Sequence, residues 1–415
     1  MRANLPTPGP DAIAHSERLS ELIRRDIATQ GGWIPFSRFM ELALYAPGLG
    51  YYTAGARKFG EAGDFITAPE LSTLFGRTLA KQLIAVMQAS TPHILELGAG
   101  SGKLALDILT ELEKRDALPE SYSILEVSAD LRERQQALIQ ERLPHLASRV
   151  QWLDVLPEKI SGAVIGNEVL DALPVHLVYW RPRPSPASGR WAGGEGTLKE
   201  NPLTLTLSRG EREQEIFERG VRCDGATFAW QDRIPENAAL LDIAKDINVP
   251  DDYLSEVSLA ARGLIASLSE RMDNGAMIFI DYGFGSAEYY HPQRSRGTLM
   301  CHYRHHSHDD PFYLLGLQDI TAHVDFTAIA EAAINHGAHF LGYTSQAHFL
   351  INNGVTDLLS EVSPEDVRAY APLSSQLQKL TSPAEMGELF KVIALGKGME
   401  GPLAGFLRGD MSRRL

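Results

Sequence analysis

Hydrophobic and polar positions divide the chain into stretches with different periods. From Ala12 to Gln30, Ile13, Leu19, Leu22, Ile23 and Ile27 recur at helical spacing, and Gly31-Gly32 closes the run. A second short helix is predicted over Pro35–Leu44, and the Gly-, Tyr- and Pro-dense Ala46–Gly63 reads as a structured loop. Pro69 suits the first turn of a helix continuing through Leu74, Leu79 and Leu83 towards Met87. From His93 short apolar runs alternate with amphipathic segments, the pattern of a parallel sheet covered on both faces. Strands are predicted at His93–Leu97, Tyr122–Val127, Arg149–Leu153, Ala163–Asn167 and Ala276–Asp281, with Ala338–Tyr343 and Leu389–Leu395 as the last two. Helices are predicted at Lys103–Arg115, Ala129–Leu143 and Asp252–Met272. Val175–Trp180, Leu203–Leu207, Glu215–Phe217 and Thr227–Trp230 alternate like half-exposed antiparallel strands, and Arg181–Gly196 between the first two reads as a loop. Tyr282–Asp325 is a second irregular region.

The expected fold class is therefore α/β: a Rossmann-like sheet with helices on both faces, an N-terminal helical cap and a β-rich insertion. The cap is expected over residues 1–90 and the main domain over 91–398, with the insert at about 175–235, a lid or substrate-loop region at about 283–325, and a tail over 399–415. At about 150 residues per domain, the length allows two or three packed units. With 44% hydrophobic and 22% charged residues the composition is ordinary for a globular protein. The net charge of −14, from 39 Lys+Arg against 53 Asp+Glu, argues against binding nucleic acid or an anionic membrane and leaves cationic ligands open. Two cysteines, Cys223 and Cys301, are too few for a disulfide framework and fit a reducing cytoplasm. The start has no apolar signal core and no run is long enough to span a membrane, so a soluble cytoplasmic protein is expected.

The sharpest local feature is His93-Ile-Leu-Glu-Leu-Gly-Ala-Gly-Ser-Gly-Lys103. A predicted strand ending in Gly98, Gly100 and Gly102 before a helix lets a ligand approach the backbone where side chains would block it. A P-loop would need glycine at position 97 and Ser or Thr after Lys103, but the chain has Leu97 and Leu104. A dinucleotide loop would need a third glycine at 103, where Lys103 stands. The Gly-x-Gly-x-Gly spacing preceded by Glu96 instead resembles the cofactor loop of class I S-adenosylmethionine-dependent methyltransferases. Glu126, at the tip of the second strand, could then accept both ribose hydroxyls of an adenosyl group. Asp154, ending the third strand, is a candidate acceptor for the adenine amino group, and Val127 and Val155 adjoin the two acids.

After the fourth strand comes Gly166-Asn-Glu-Val-Leu-Asp-Ala-Leu-Pro174. Together with Gly63–Glu70, Glu96–Gly102, Ile280–Gly283, Gly297–Asp310, Gln318–Phe326 and Met386–Gly398, this segment resembles the MidA-like family, whose mitochondrial relatives are assembly factors for respiratory complex I. The blocks are collinear over about residues 33–398, and Leu314–Leu317 departs from the pattern inside a matching block. The resemblance implies a Rossmann-like methyltransferase that uses S-adenosyl-L-methionine and, for the mitochondrial members, methylates protein arginine. A protein substrate is the partner it implies, in the mitochondrial case a respiratory-complex subunit; a homodimer is left open. A small-molecule amine or hydroxyl acceptor, and a cofactor-binding assembly scaffold without turnover, remain alternatives.

An arginine acceptor stays protonated in water, so carboxylates must grip it and direct one nitrogen at the methyl group. Glu168 and Asp171, three apart beyond a strand tip, could form that clamp, and they could equally be a capping or surface pair. Asn167 could orient the nucleophile and also touch the cofactor. Asp64, Pro69 and Glu70 belong to a block expected to fold over the cofactor with Phe65, although Asp64 could simply bind amides of the Gly60–Gly63 turn. His302, His305, His306 and His308 with Asp309 and Asp310 suit metal ligation, but Arg294, Arg296 and Arg304 oppose it and no metal is expected. His323 is a candidate substrate contact or a satisfied buried histidine.

Overall fold

The computed structural model describes residues 5–55, 67–183 and 214–415. Seven strands form its central sheet: β1 His93–Leu97, β2 Ser121–Leu125, β3 Val150–Leu153, β4 Ile160–Asn167, β5 Met272–Phe284, β6 His339–Ser345 and β7 Phe390–Lys397. Their spatial order is β3-β2-β1-β4-β5-β7-β6. Neighbours run parallel except β7, which is antiparallel to both β5 and β6. A two-residue strand, Val324–Asp325, extends the sheet beside the C-terminal end of β5. The strand order turns back between β1 and β4, and in such sheets ligands bind outside the strand C-termini at that switch point. This is the doubly wound α/β fold expected from the alternation of short apolar runs and helices.

Both faces of the sheet are buried, which is why its strands read as continuous apolar runs. Ile94, Ile124, Ile165 and Ile278 pack one face against Leu74, Phe75, Leu79, Ile108 and Leu112. Leu95, Leu97, Val164, Met277 and Phe279 pack the other against Ile265, Leu268, Phe326 and Ile329. Ile94 and Leu95 fall on opposite faces, as the two-residue period of a strand requires. The helix Thr73–Ala89 thus shares one core with the sheet, and Glu111 of Lys103–Lys114 anchors Arg77 at 2.7 Å beside it.

The insertion is an antiparallel sheet of His176–Pro182, Gln214–Asp224, Thr227–Arg233 and Tyr253–Val257, joined by Ile34–Pro35. The N-terminal helices Pro10–Thr29 and Phe36–Tyr45 bury Leu19, Ile23, Phe36 and Phe39 in a core shared with Leu177 and Val221 of this sheet. Beyond Gly398 the chain packs back on the main sheet: the Met411 amide donates to the Tyr343 carbonyl at 2.9 Å, and Phe406 meets Phe349.

Several local expectations need correction. The segment Asp252–Met272 is not one helix. Tyr253–Val257 is a strand, and only Leu259–Arg271 is helical, with the Ser258 hydroxyl accepting from the Ala261 amide at its start. The burial of alternate residues Tyr253, Ser255 and Val257 against the insert outweighs the helical tendency of the run. The helix predicted from Pro69 to Met87 is broken at Ser72, whose extended backbone (φ −156°) ends Ala68–Leu71 and caps Thr73–Ala89. The irregular region contains a helical turn, Ser286–Tyr289, and a three-stranded sheet of Met300–Tyr303, His306–His308 and Asp319–Thr321. Helices Ala238–Asp246, Phe326–Asn335 and Val367–Thr381 were not anticipated. Leu203–Leu207 and most of Arg181–Gly196 lie outside the described residues. Among the described residues no helix is long and apolar enough to cross a membrane.

Candidate active site

A cavity of about 300 Å³ opens at the switch point. Gly98–Ser101 of the turn after β1 line it, with Glu126 and Val127 after β2 on one flank, and Asn167, Glu168 and Val169 around the end of β4 on the other. Thr67, Pro69 and Glu70 close it from the N-terminal block, together with Tyr45 and Tyr52. The sequence-selected Glu96, Gly98, Gly100, Glu126, Val127, Pro69, Glu70, Asn167 and Glu168 therefore converge on one space. Asp64 lies outside the described residues.

The glycine turn is built as its composition demands. Gly98, Gly100 and Gly102 have φ of 61°, 55° and 83°, a region that side chains disfavour. A Cβ on Gly98 would also sit 3.3 Å from a Val169 methyl. Gly102 begins the helix Lys103–Lys114, so that helix's N-terminus faces the cavity side of the turn. The N-terminal block is tied to it: the Ser101 hydroxyl donates to the Glu70 carboxylate, and Lys103 Nζ donates to the Glu70 carbonyl at 3.1 Å.

Two buried acids serve the β1–β2 side. Glu96 accepts from the Tyr122 hydroxyl at 2.7 Å; burial pushes its carboxyl up to about 7 while that bond and Glu126 act in opposite directions. Glu126 accepts from the Ser128 amide at 3.0 Å and from Gln135 Nε2 at 3.0 Å. Burial raises the Glu126 carboxyl, and these donors pull it back.

The β4–β5 side is different. Glu168 stands in the left-handed region at φ 53°, rare for a residue with a side chain and a mark of imposed strain. Its amide donates to the Ile280 carbonyl at 2.9 Å, and Asn167 Nδ2 donates to its carboxylate at 3.1 Å. The turn is pinned by Asp281, which ends the hydrophobic part of β5. One carboxylate oxygen accepts from the Val169, Leu170 and Asp171 amides at 3.1, 2.8 and 3.3 Å, and the other from the Tyr282 amide at 2.9 Å. Behind Glu168 lie buried Asp171, Asp281 and Asp319. The Tyr52 hydroxyl donates to Asp319 at 3.0 Å, and Tyr52 stacks on Tyr45 with ring centres 5.4 Å apart.

These acids crowd one another. Burial, then Asp281, pushes Glu168 up to about 8. Burial, then Asp281 and Glu168, raises Asp171 well above the carboxylate range. Burial pushes Asp281 up to about 7 despite its backbone donors. Among the described residues, Glu168, Asp171 and Asp281 form no ion pair. Such a cluster is a place where a cation gains and an anion is rejected.

Three selected residues are placed elsewhere. Asp154 and Val155 are exposed outside the cavity wall, and Asp154 pairs with Arg132 at 2.8 Å. The short strand β3 stops before carrying them inward. His323 lies in a neighbouring small pocket, stacked on Tyr282 and tilted against Phe284, where burial lowers its pKa to about 4. His306 and His308 form one strand of a hairpin turned at Arg304 and His305, both in the left-handed region. Tyr45, Tyr52, Gln135 and Asp319 were missed. Only the unusual tyrosine density around Ala46–Gly63 hinted at the first two.

A cofactor with an adenosyl group fits these residues. The glycine turn leaves a cradle that a Cβ would fill, Glu126 keeps acceptor capacity at the cavity wall, and Asn167 Oδ1 is buried without a partner. A family model described as "Putative S-adenosyl-L-methionine-dependent methyltransferase" matches residues 78–344. The chain belongs to this family. A Burkholderia thailandensis protein crystallised with S-adenosyl-homocysteine is similar at 47% identity and a TM-score of 0.89, over 99% of this chain and 100% of that one. A native crystal structure from the same organism gives 46% and 0.86. Among more distant relatives, the mitochondrial protein arginine methyltransferase NDUFAF7 homolog of Drosophila melanogaster is 28% identical over 95% of this chain and 89% of its own. Its Mus musculus counterpart is 27% identical over 88% and 81%. The methyltransferase thus uses S-adenosyl-L-methionine.

Proposed function

We propose that this methyltransferase transfers the methyl group to an arginine side chain of a protein, and that it works in the bacterial cytoplasm on a subunit of a respiratory complex. The observation that carries the acceptor class is the strained, cation-free carboxylate cluster around Glu168 at the cavity wall. The names of the mitochondrial relatives support the same class, and the bacterial relative supports the location.

When bound, the cofactor supplies an electrophilic methyl group on a positively charged sulfur. Glu126 accepts the ribose hydroxyls, and Asn167 Oδ1 offers an acceptor to an amino group. Glu168, backed by Asp171, receives the guanidinium and fixes which nitrogen faces the methyl. An incoming cation lowers the cost of ionising Glu168, so the acid enters charged and is ready to act as base. A guanidinium nitrogen that attacked the methyl carbon would form a C–N bond as the carbon–sulfur bond breaks, its electron pair staying on sulfur as a neutral thioether, and Glu168 would accept the one excess proton. Asp281 touches none of the reacting atoms; it holds the amides of residues 169–171 so that Glu168 keeps its left-handed conformation.

Mass spectrometry of a deletion strain tests the reading. One or more methylarginine peptides disappear and return on complementation with wild type but not with Glu168→Gln. An unchanged methylarginine inventory would overturn it.

A further inference from the structure

Gln135 lies in the helix Ala129–Arg142, is fully buried, and sends every polar atom of its side chain to a fixed partner. Its Nε2 donates to the Gly100 carbonyl at 2.8 Å and to Glu126 Oε2 at 3.0 Å, while Oε1 accepts from Trp152 Nε1 at 2.9 Å. The amide cannot be turned round. An indole N–H only donates and a peptide carbonyl only accepts, so Trp152 and Gly100 together fix which end is which. Packing fixes it further, because a Cβ on Gly102 would already be 3.2 Å from Gln135 Cγ.

Two of the three partners, Gly100 and Glu126, line the cofactor cavity. We infer that Gln135 is the positioning residue that presents the Glu126 carboxylate to the ribose hydroxyls and registers it against the glycine turn. Glu126 Oε1 is held by the Ser128 amide and Oε2 by Gln135, with the Val127 amide as a further donor, so part of the carboxylate's acceptor capacity stays open at the cavity wall. Adjacent hydroxyls match that capacity. The donor is neutral, so it orients the carboxylate without cancelling its charge; a lysine or arginine there would compete with the sugar. The nearby cation, Arg132, is turned away, donating instead to the Glu126 carbonyl at 3.1 Å, the Leu153 carbonyl at 3.1 Å and Asp154 at 2.8 Å. A buried glutamine with a purely architectural role would lower affinity for every ligand alike. A positioning role makes a sharper claim, that Gln135 matters to the extent that the ribose hydroxyls are there.

Calorimetry separates the two on the intact protein, using S-adenosyl-homocysteine and its 2′-deoxyribose analogue as probes. Wild type prefers the ribose form by about tenfold or more, the scale of one hydrogen bond to a charged group. In Gln135→Met, which keeps the side-chain volume, the preference falls below about threefold. Gln135→Glu, of the same shape, loses the preference at pH 8 and recovers part of it at pH 5.5, where a protonated carboxyl can again donate to Glu126. The second variant decides the matter if the first does not fold. The inference is overturned if either variant binds both probes more weakly by one common factor, or if wild type itself shows no preference.

Discussion

The two flanks of the cavity both present carboxylates from strand tips, yet they solve the problem of burying charge in opposite ways. Glu126 has neutral donors from Ser128, Gln135 and the Val127 amide, so its carboxylate is oriented before any ligand arrives. Glu168 has donors from Asn167 and the Ala68 amide, a strained backbone and three buried acids behind it. The first arrangement costs little to keep and is suited to a ligand bound in every cycle. The second is unfavourable until a cation enters, so on the function proposed above its binding energy is reserved for an acceptor with the right charge. The difference teaches that a well-donated and a frustrated carboxylate can be built from the same residue types by changing only what donates to them.

The largest expected effect falls on the acceptor side. Glu168→Gln keeps the shape but removes charge and base, so kcat falls by about 10²–10⁴-fold while calorimetric affinity for S-adenosyl-homocysteine stays within about twofold of wild type. Equal loss of both would erase the contrast between the flanks. Next comes Gly98→Val on the cofactor side. A β-branched residue at φ 61° and 3.3 Å from Val169 lowers S-adenosyl-homocysteine affinity by about 100-fold. Asp281→Asn replaces the acceptor of four amides and lowers the unfolding free energy by about 1–3 kcal/mol, read as the midpoint of urea denaturation.

The pH dependence sharpens the comparison further. Folded carboxyls raised above their unfolded values stabilise the protein fully at low pH, and that stability is lost as pH rises through the folded values. With Glu168 near 8 and Asp281 near 7, the Tm of the ligand-free protein declines from about pH 5 to pH 8. Glu168→Gln makes the decline shallower, as differential scanning calorimetry across that range would show. The smallest effect is Asp154→Ala: the acid is exposed and pairs with Arg132, so S-adenosyl-homocysteine affinity changes by less than about fivefold.

Much of the cofactor flank was legible in the chain itself. Glycine at alternate positions after an apolar run has a narrow physical meaning, because only glycine reaches φ near 60° without strain, and Gly98, Gly100 and Gly102 all do. Acids at the ends of strands brought Glu96 and Glu126 to the cavity because a parallel strand delivers its C-terminal residues to one edge of the sheet. The same logic carried Asp154 to a strand end but not to the cavity, since a tip residue's direction depends on how far its strand runs and on neighbours such as Arg132.

The amino-acid order by itself determined the seven strands of the central sheet, their burial on both faces and the glycine turn, because these rest on local periodicity and on what glycine alone can do. Tertiary structure decided the rest. Tyr45, Tyr52 and Asp319 reach the site from segments distant in sequence, and Gln135 meets Gly100 and Trp152 only when β1, β3 and the helix Ala129–Arg142 are assembled. Whether Glu168 is an ordinary surface acid or a carboxyl raised to about 8 was settled first by its burial and then by Asp281, more than a hundred positions away. Charge interactions depend on distance in space and on exclusion of water, and neither is written in the spacing of residues along a chain.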